Sequence, residues 1–186
     1  GILSCKKEKK STVGHGDFTY EVDKDWGIQD PSQFPVKDCH EMVMDKNQRL
    51  IMTTNHKKNN ILIYDRSGKI LEAWGTEFPG AHGLTIAEEG NEEFLYITDY
   101  KTHKVCKTDL KGNILITYNA PPEIPDYETP DQFKPTETTI APNGDLYIAD
   151  GYGKDFIIQY DYQGNFVRYF GGRGKGDDQF DCAHGI

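Results

Sequence analysis

Apolar residues along this chain fall in short runs that end in a polar residue and are separated by turn-forming residues. Asn60-Ile61-Leu62-Ile63-Tyr64-Asp65, Lys104-Val105-Cys106-Lys107-Thr108-Asp109 and Phe156-Ile157-Ile158-Gln159-Tyr160-Asp161 are three copies of one such run. Each leads to a glycine turn, at Gly68, Gly112 or Gly164, and then to a further strand such as Lys69-Ile70-Leu71-Glu72-Ala73-Trp74. Upstream of each copy lies another strand: Arg49-Leu50-Ile51-Met52-Thr53, Phe94-Leu95-Tyr96-Ile97-Thr98-Asp99 or Asp145-Leu146-Tyr147-Ile148-Ala149-Asp150. The turns before these, Asp45-Lys46-Asn47-Gln48, Glu89-Gly90-Asn91-Glu92 and Pro142-Asn143-Gly144, are the Gly/Asn/Asp clusters of hairpins. Helical periodicity is weak throughout, so the pattern predicts an all-β chain.

The runs recur at a fixed distance. Trp26-Gly27, Trp74-Gly75 and Phe170-Gly171 close successive copies. Trp26 to Trp74 is 74 − 26 = 48 residues, and Trp74 to Phe170 is 170 − 74 = 96, two steps of 48. Four short antiparallel strands per unit of this length are one blade of a β-propeller. The spacing predicts blades at about 38–74, 81–118 and 134–170, with a next blade starting at 182. Residues 17–26 align with a fourth strand that has no blade before it, the place of a strand that closes a ring. About three blades are present where propellers need four to eight. The chain is therefore expected to be the first part of a longer protein whose domain runs from residue 17 through 186.

Charge narrows the partners. Lys+Arg number 21 and Asp+Glu 30, so the net charge is 21 − 30 = −9. Nucleic-acid affinity rests on neutralising phosphates, which an acidic surface does not do, so no nucleic acid is expected. No apolar run is long enough to span a membrane as a helix. The first residues carry a separate signal. Gly1-Ile2-Leu3-Ser4-Cys5 precedes the polar run Lys6-Lys7-Glu8-Lys9-Lys10, and resembles a bacterial lipobox with its tether over 1–16. That resemblance implies an extracytoplasmic lipoprotein held to the membrane only through Cys5. The other cysteines, Cys39, Cys106 and Cys182, have no metal-site spacing and are expected to be free buried thiols.

The Phe170-Gly171-Gly172, Gln179-Phe180 and His184-Gly185-Ile186 phrase, with Leu146-Tyr147-Ile148-Ala149-Asp150, resembles the NHL repeat, and the match covers most of 17–186. A narrower likeness sits inside it. His82-Gly83-Leu84-Thr85-Ile86, Lys134-Pro135-Thr136-Glu137, Asp150-Gly151-Tyr152 and Ala183-His184 are similar to the peptidyl-α-hydroxyglycine α-amidating lyases. That resemblance implies a six-bladed, monomeric propeller, with Zn²⁺ on its axis held by three histidines and a structural Ca²⁺. The implied reaction splits a peptidyl-α-hydroxyglycine into an amide and glyoxylate. His82 and His184 match two of the zinc histidines, with Thr136 on the blade between them. Tyr152 matches the catalytic tyrosine, and Met42 and Leu84 match residues whose carbonyls bind calcium. The third histidine and a calcium aspartate would follow Ile186. Two features depart from the family. An arginine is absent from Thr53-Thr54-Asn55-His56, and Lys134 and Gly153 stand where cysteines flank the tyrosine loop.

The residues support this chemistry by themselves. First strands of blades line the axis, so histidines at the starts of alternate blades converge there. Neutral imidazoles hold Zn²⁺ at about 2.0–2.1 Å and leave a position open, where the metal polarises a bound hydroxyl. A Tyr152 phenol acts as a base only if a cation lowers its pKa. His40 begins an adjacent blade, and His15, His56 and His103 are expected at the surface. Two other readings remain open. One is a non-catalytic propeller binding a peptide, glycan or protein, in which these histidines only bond blade backbones. The other is a calcium-dependent lactonase type, for which the acidic ligand set has no obvious counterpart.

Overall fold

The structure is a computed structural model that describes residues 11–27 and 30–186. The lipobox and Cys5 lie outside the described residues. The described chain begins with a hairpin of β1 (Thr12–His15) and β2 (Phe18–Glu21). Sequence alignment predicts one extended strand over 17–26, and here the structure differs. Gly16, at φ +57°, reverses the chain, and the Thr19 hydroxyl donates to the Gly16 carbonyl at 3.0 Å. Residues 17–21 therefore fold back on 12–15, and strand structure ends at Glu21.

Three four-stranded antiparallel sheets follow. The first comprises β3 (Cys39–Met44), β4 (Leu50–Thr54), β5 (Ile61–Tyr64) and β6 (Ile70–Trp74). The second comprises β7 (Ala81–Glu89), β8 (Glu92–Asp99), β9 (Lys104–Asp109) and β10 (Ile114–Tyr118). The third comprises β11 (Glu137–Ile140), β12 (Leu146–Ala149), β13 (Phe156–Tyr160) and β14 (Phe166–Gly171). Each strand pairs only with its sequence neighbours within its sheet. Between sheets, β3 packs beside β7 and β7 beside β11, whereas the fourth strands do not touch one another. Sheets that meet at their first strands and splay at their fourth are propeller blades, so the all-β propeller expectation holds.

Strand periodicity explains why the blades stack. Along β8, Leu95 and Ile97 enter the core shared with the first blade, together with Ile51, Ile61, Ile63, Phe78 and Cys106. Tyr96, between them, points the other way, into the core shared with Val105, Phe133, Leu146, Ile148 and Ile158. A middle blade is thus apolar on both faces, which is why its strands read as unbroken apolar runs. The outer turns are alike in construction. Asp65 Oδ1 accepts from the backbone N–H groups of Ser67 at 2.8 Å and Lys69 at 3.1 Å, around Gly68 at φ +85°. Asp161 and Gly164 repeat the arrangement. Only glycine takes that backbone angle without strain.

Ile158 is fully buried between blades and Val167 is half exposed on β14. In the intact protein, Ile158→Ala is expected to cost about 2–5 kcal/mol and Val167→Ala about 1 kcal/mol or less in denaturant unfolding. Equal costs at the two positions would contradict the burial pattern.

Candidate active site

Two first strands carry the same irregularity. Cys39 pairs with Thr54 and Met42 with Met52, so β3 spends one more residue than β4 over that interval. Ala81 pairs with Asp99 and Leu84 with Ile97, an identical bulge on β7. A bulge re-aims the side chains within it. Here it contains His40 on β3 and His82 on β7. Their rings stack, with centroids 4.3 Å apart and planes 24° apart. Gly83 makes the bulge on β7 possible, because a Cβ there would run into the Thr136 carbonyl and Glu137.

His82 is buried and bonded at both ring nitrogens. Nδ1 donates to the Thr136 carbonyl at 2.9 Å, which fixes the tautomer and leaves an acceptor at Nε2. That Nε2 faces the Tyr152 hydroxyl at 3.1 Å. His184 Nε2 lies 2.5 Å from the same oxygen. The His82 and His184 centroids are 4.6 Å apart, and Tyr100 packs edge-on against Tyr152 at 5.5 Å. Three segments distant in sequence thus converge on one phenol oxygen.

Thr136 holds the convergence together. Its carbonyl receives His82 and the Thr98 hydroxyl, the latter at 3.1 Å. Its own hydroxyl donates to the Ala183 carbonyl at 2.7 Å and accepts from the Gly151 N–H at 3.3 Å. The Ala183 N–H is taken at 2.9 Å by Asp155, a fully buried carboxylate whose other oxygen holds Arg173 at 2.7 Å. His184 follows this pinned residue, and Tyr152 follows Gly151, whose missing Cβ makes room for the Ala183 carbonyl. Burial, joined by the nearby His40 and His184, holds His82 below the usual imidazole pKa and therefore neutral. Burial also raises Tyr152, so it rests as a phenol. Below this cluster, Glu137 is pushed up to about 7 by burial and then by the carboxylate of Glu41.

A neutral His82 whose Nδ1–H is tied to a carbonyl, with Nε2 aimed where His184 Nε2 also points, is a donor set that fits a zinc-type cation. The two imidazoles are the candidate ligands. Among the described residues no group of three or more His, Cys, Asp or Glu side chains sits at metal-binding spacing. Met42 and Leu84 lie on the adjacent strands β3 and β7; the Met42 side chain is exposed and that of Leu84 is in the core between the first two blades. Several expectations need correction. His56 and His103 are half buried rather than exposed, His103 with Nδ1 bonded to the Phe133 carbonyl at 2.9 Å. Cys39 and Cys182 are exposed and only Cys106 is buried; all three are free. Sequence reading missed Thr136 as a hub, Asp155, and the stacked His40. The paired Ala-His-Gly phrases gave no sign of their partners' backbone.

No model of a known protein family matches the chain. A probable peptidyl-α-hydroxyglycine α-amidating lyase of Caenorhabditis elegans is 32% identical over 108 residues, covering 58% of this chain and 30% of that protein. The human NHL repeat-containing protein 3 is 27% identical over 133 residues, covering 68% of this chain and 38% of that one. Among solved structures, a streptogramin B lyase superposes with TM-score 0.59 at 20% identity, covering 77% of this chain and 44% of that one. This chain is an NHL-like propeller that resembles the amidating lyases. The chain spans 30% and 38% of the length of the two curated relatives and 44% of the solved structure.

Two outcomes follow from the site. Thr136→Val keeps the carbonyl but removes the hydroxyl that holds Ala183 and Gly151. It should cost about 1–3 kcal/mol and, by NMR, broaden the His184 ring resonances while leaving His82 sharp. Equal disturbance of both rings would refute the division of labour. For Glu137, a folded pKa above the ordinary carboxyl value means that the folded state binds the proton more tightly. That stabilisation is complete below about 4.5 and lost as pH rises through about 7. The Tm of the protein should therefore fall from pH 5 to 8 relative to Glu137→Gln, and parallel curves would count against the raised Glu137.

Proposed function

We propose that the chain is part of a zinc-dependent lyase of the amidating type, acting on a peptidyl-α-hydroxyglycine or another small hydroxylated substrate. The observation that carries this reading is the meeting of His82 Nε2 and His184 Nε2 at the Tyr152 hydroxyl, 3.1 and 2.5 Å away. Bound there, a zinc ion supplies a Lewis acid for the substrate hydroxyl. The reaction breaks a C–N bond. The hydroxyl loses its proton as its C–O bond becomes a carbonyl, and the departing amide nitrogen gains one. Tyr152, resting as a phenol, hands its proton to that nitrogen and regains one from the hydroxyl. His82 and His184 would hold the metal through Nε2, and the Thr136 carbonyl keeps His82 in the tautomer that leaves that nitrogen free. The same reading gives a structural calcium ion the carbonyls of Met42 and Leu84, and anchors the protein outside the cytoplasm through Cys5.

A second reading, a non-catalytic propeller that binds a peptide, glycan or protein, draws on the likeness to the human NHL repeat-containing protein 3. Metal analysis with a glyoxylate-release assay on the full-length protein separates the two. His82→Ala should lose most bound zinc and the activity. Tyr152→Phe should keep the zinc and lose rate by about 10²–10⁴, because a proton-transferring oxygen is gone while the imidazoles remain. His56→Ala, which alters a residue outside the cluster, should do neither. Full zinc and turnover in His82→Ala would end the lyase reading in favour of the scaffold.

A further inference from the structure

The tyrosine that closes the histidine cluster is also a wall of a neighbouring cleft. This cleft has a volume of about 620 Å³ and is lined by Lys134, Tyr152, Lys154, Phe156, Arg173 and Asp126, among others. That size suits a small ligand. Its charge is opposite to that of the chain as a whole, which carries −9. Arg173 is already committed, its Nε held at 2.7 Å by the buried Asp155. The remaining charges are Lys134 and Lys154 against Asp126, so 2 − 1 = +1.

The two lysines are built into the site. One buried carboxylate, Asp150, clamps both of their backbones: Oδ1 accepts the Lys134 N–H at 2.6 Å and Oδ2 the Lys154 N–H at 2.7 Å. The Tyr127 hydroxyl donates to Oδ2 at 2.7 Å, and the Tyr152 N–H donates to the Lys134 carbonyl at 3.3 Å. Tyr152 and the two half-buried lysines thus share one backbone frame and line one cleft. Among the described residues neither ammonium has an ion-pair partner, and Lys134 acts on Asp131 only as a more distant charge. Both lysines line the same cleft, with the aromatic Phe156 as a further wall, and an anion entering it would offset their like charges. The two oxygens of one carboxylate match two ammonium donors. A net charge of +1 suits a monoanion better than a phosphate dianion.

We propose that this cleft binds a carboxylate-bearing ligand, such as the C-terminal end of an acylated amino acid or peptide, with Lys134 and Lys154 holding the carboxylate against Tyr152. In naming the end of the ligand that lies at Tyr152, the proposal rests on the lyase reading above.

The test compares N-acetylglycine with N-acetylglycinamide in titration calorimetry on the full-length protein, with inorganic phosphate as a third probe. N-acetylglycine should bind and the neutral amide should bind more weakly. Lys134→Gln and Lys154→Gln should each weaken N-acetylglycine by about tenfold, the loss of one charged hydrogen bond, and leave the amide unchanged. Lys57→Gln should have no effect, and unchanged Tm values in the two variants show that the frame survives. Equal affinity for acid and amide, no saturable binding of N-acetylglycine, tighter binding of phosphate, or lysine variants that bind like the parent would each overturn the proposal. Lysine-dependent binding without glyoxylate release from an N-acyl-α-hydroxyglycine would leave the subsite standing and sink the lyase reading. Release of glyoxylate together with indifference to the lysines would do the reverse.

Discussion

Thr136 is the residue through which the rest of the site is assembled. Its carbonyl fixes the tautomer of His82, and its hydroxyl receives the Gly151 N–H and donates to the Ala183 carbonyl. These groups come from the second blade, the loop after β12 and the segment after the third blade. One fully buried threonine therefore couples three parts of the chain that otherwise meet only through packing. In a dry interior an unsatisfied carbonyl or N–H costs more than a made bond gains, so each partner is held to its place. The catalytic candidates depend on this hub: an imidazole with a defined acceptor and a phenol within reach of two rings.

Buried carboxylates do for the loops what Thr136 does for the axis. Asp99 receives Gly80, Lys101 and Thr102, while Asp150 receives Lys134, Lys154 and Tyr127. Asp155 receives Ala183 and Arg173. Each acid accepts several donors at the end of a strand, so the turn it organises is rigid without cross-linking. Burial is strong enough to push Asp150 up to about 6 in spite of its donors. The loop bearing Tyr152 thus has a brace where the amidating-lyase pattern has cysteines. It is made of hydrogen bonds, and Tyr127 supplies part of it from the connection between the second and third blades.

Propeller geometry accounts for the placement of chemistry near the axis. First strands lie side by side, so polar residues at their starts meet near the axis while the apolar side chains behind them pack between blades. The bulges on β3 and β7 turn His40 and His82 toward one another, and Glu41 and Glu137 meet by the same logic. The fourth strands do not touch one another. The cleft beside Tyr152 lies in the loops, where the charges of Lys134 and Lys154 are set by strand ends.

How much of this was legible differs by element. The sequence determined the blades, because a period of 48 residues with apolar runs and Asp-Gly turns admits few other folds, and burial on both faces follows from strand alternation. The resemblance to the amidating lyases picked out His82, Tyr152 and His184, of which His82 lies at the start of β7 and Tyr152 in the turn after β12. Of the strand expected over 17–26 only Phe18–Glu21 forms, paired with Thr12–His15 through a reversal at Gly16 that the apolar pattern does not register. The roles of Thr136, Asp155 and Asp150 were not legible, since they act on backbone groups that have no residue identity. The stacking of His40 on His82 was hidden for a related reason: a bulge is a register shift between strands, and register belongs to the pair. The sequence sets which groups are available, while only the tertiary structure decides which of them share an oxygen, because that depends on distances of about 3 Å between segments dozens of residues apart.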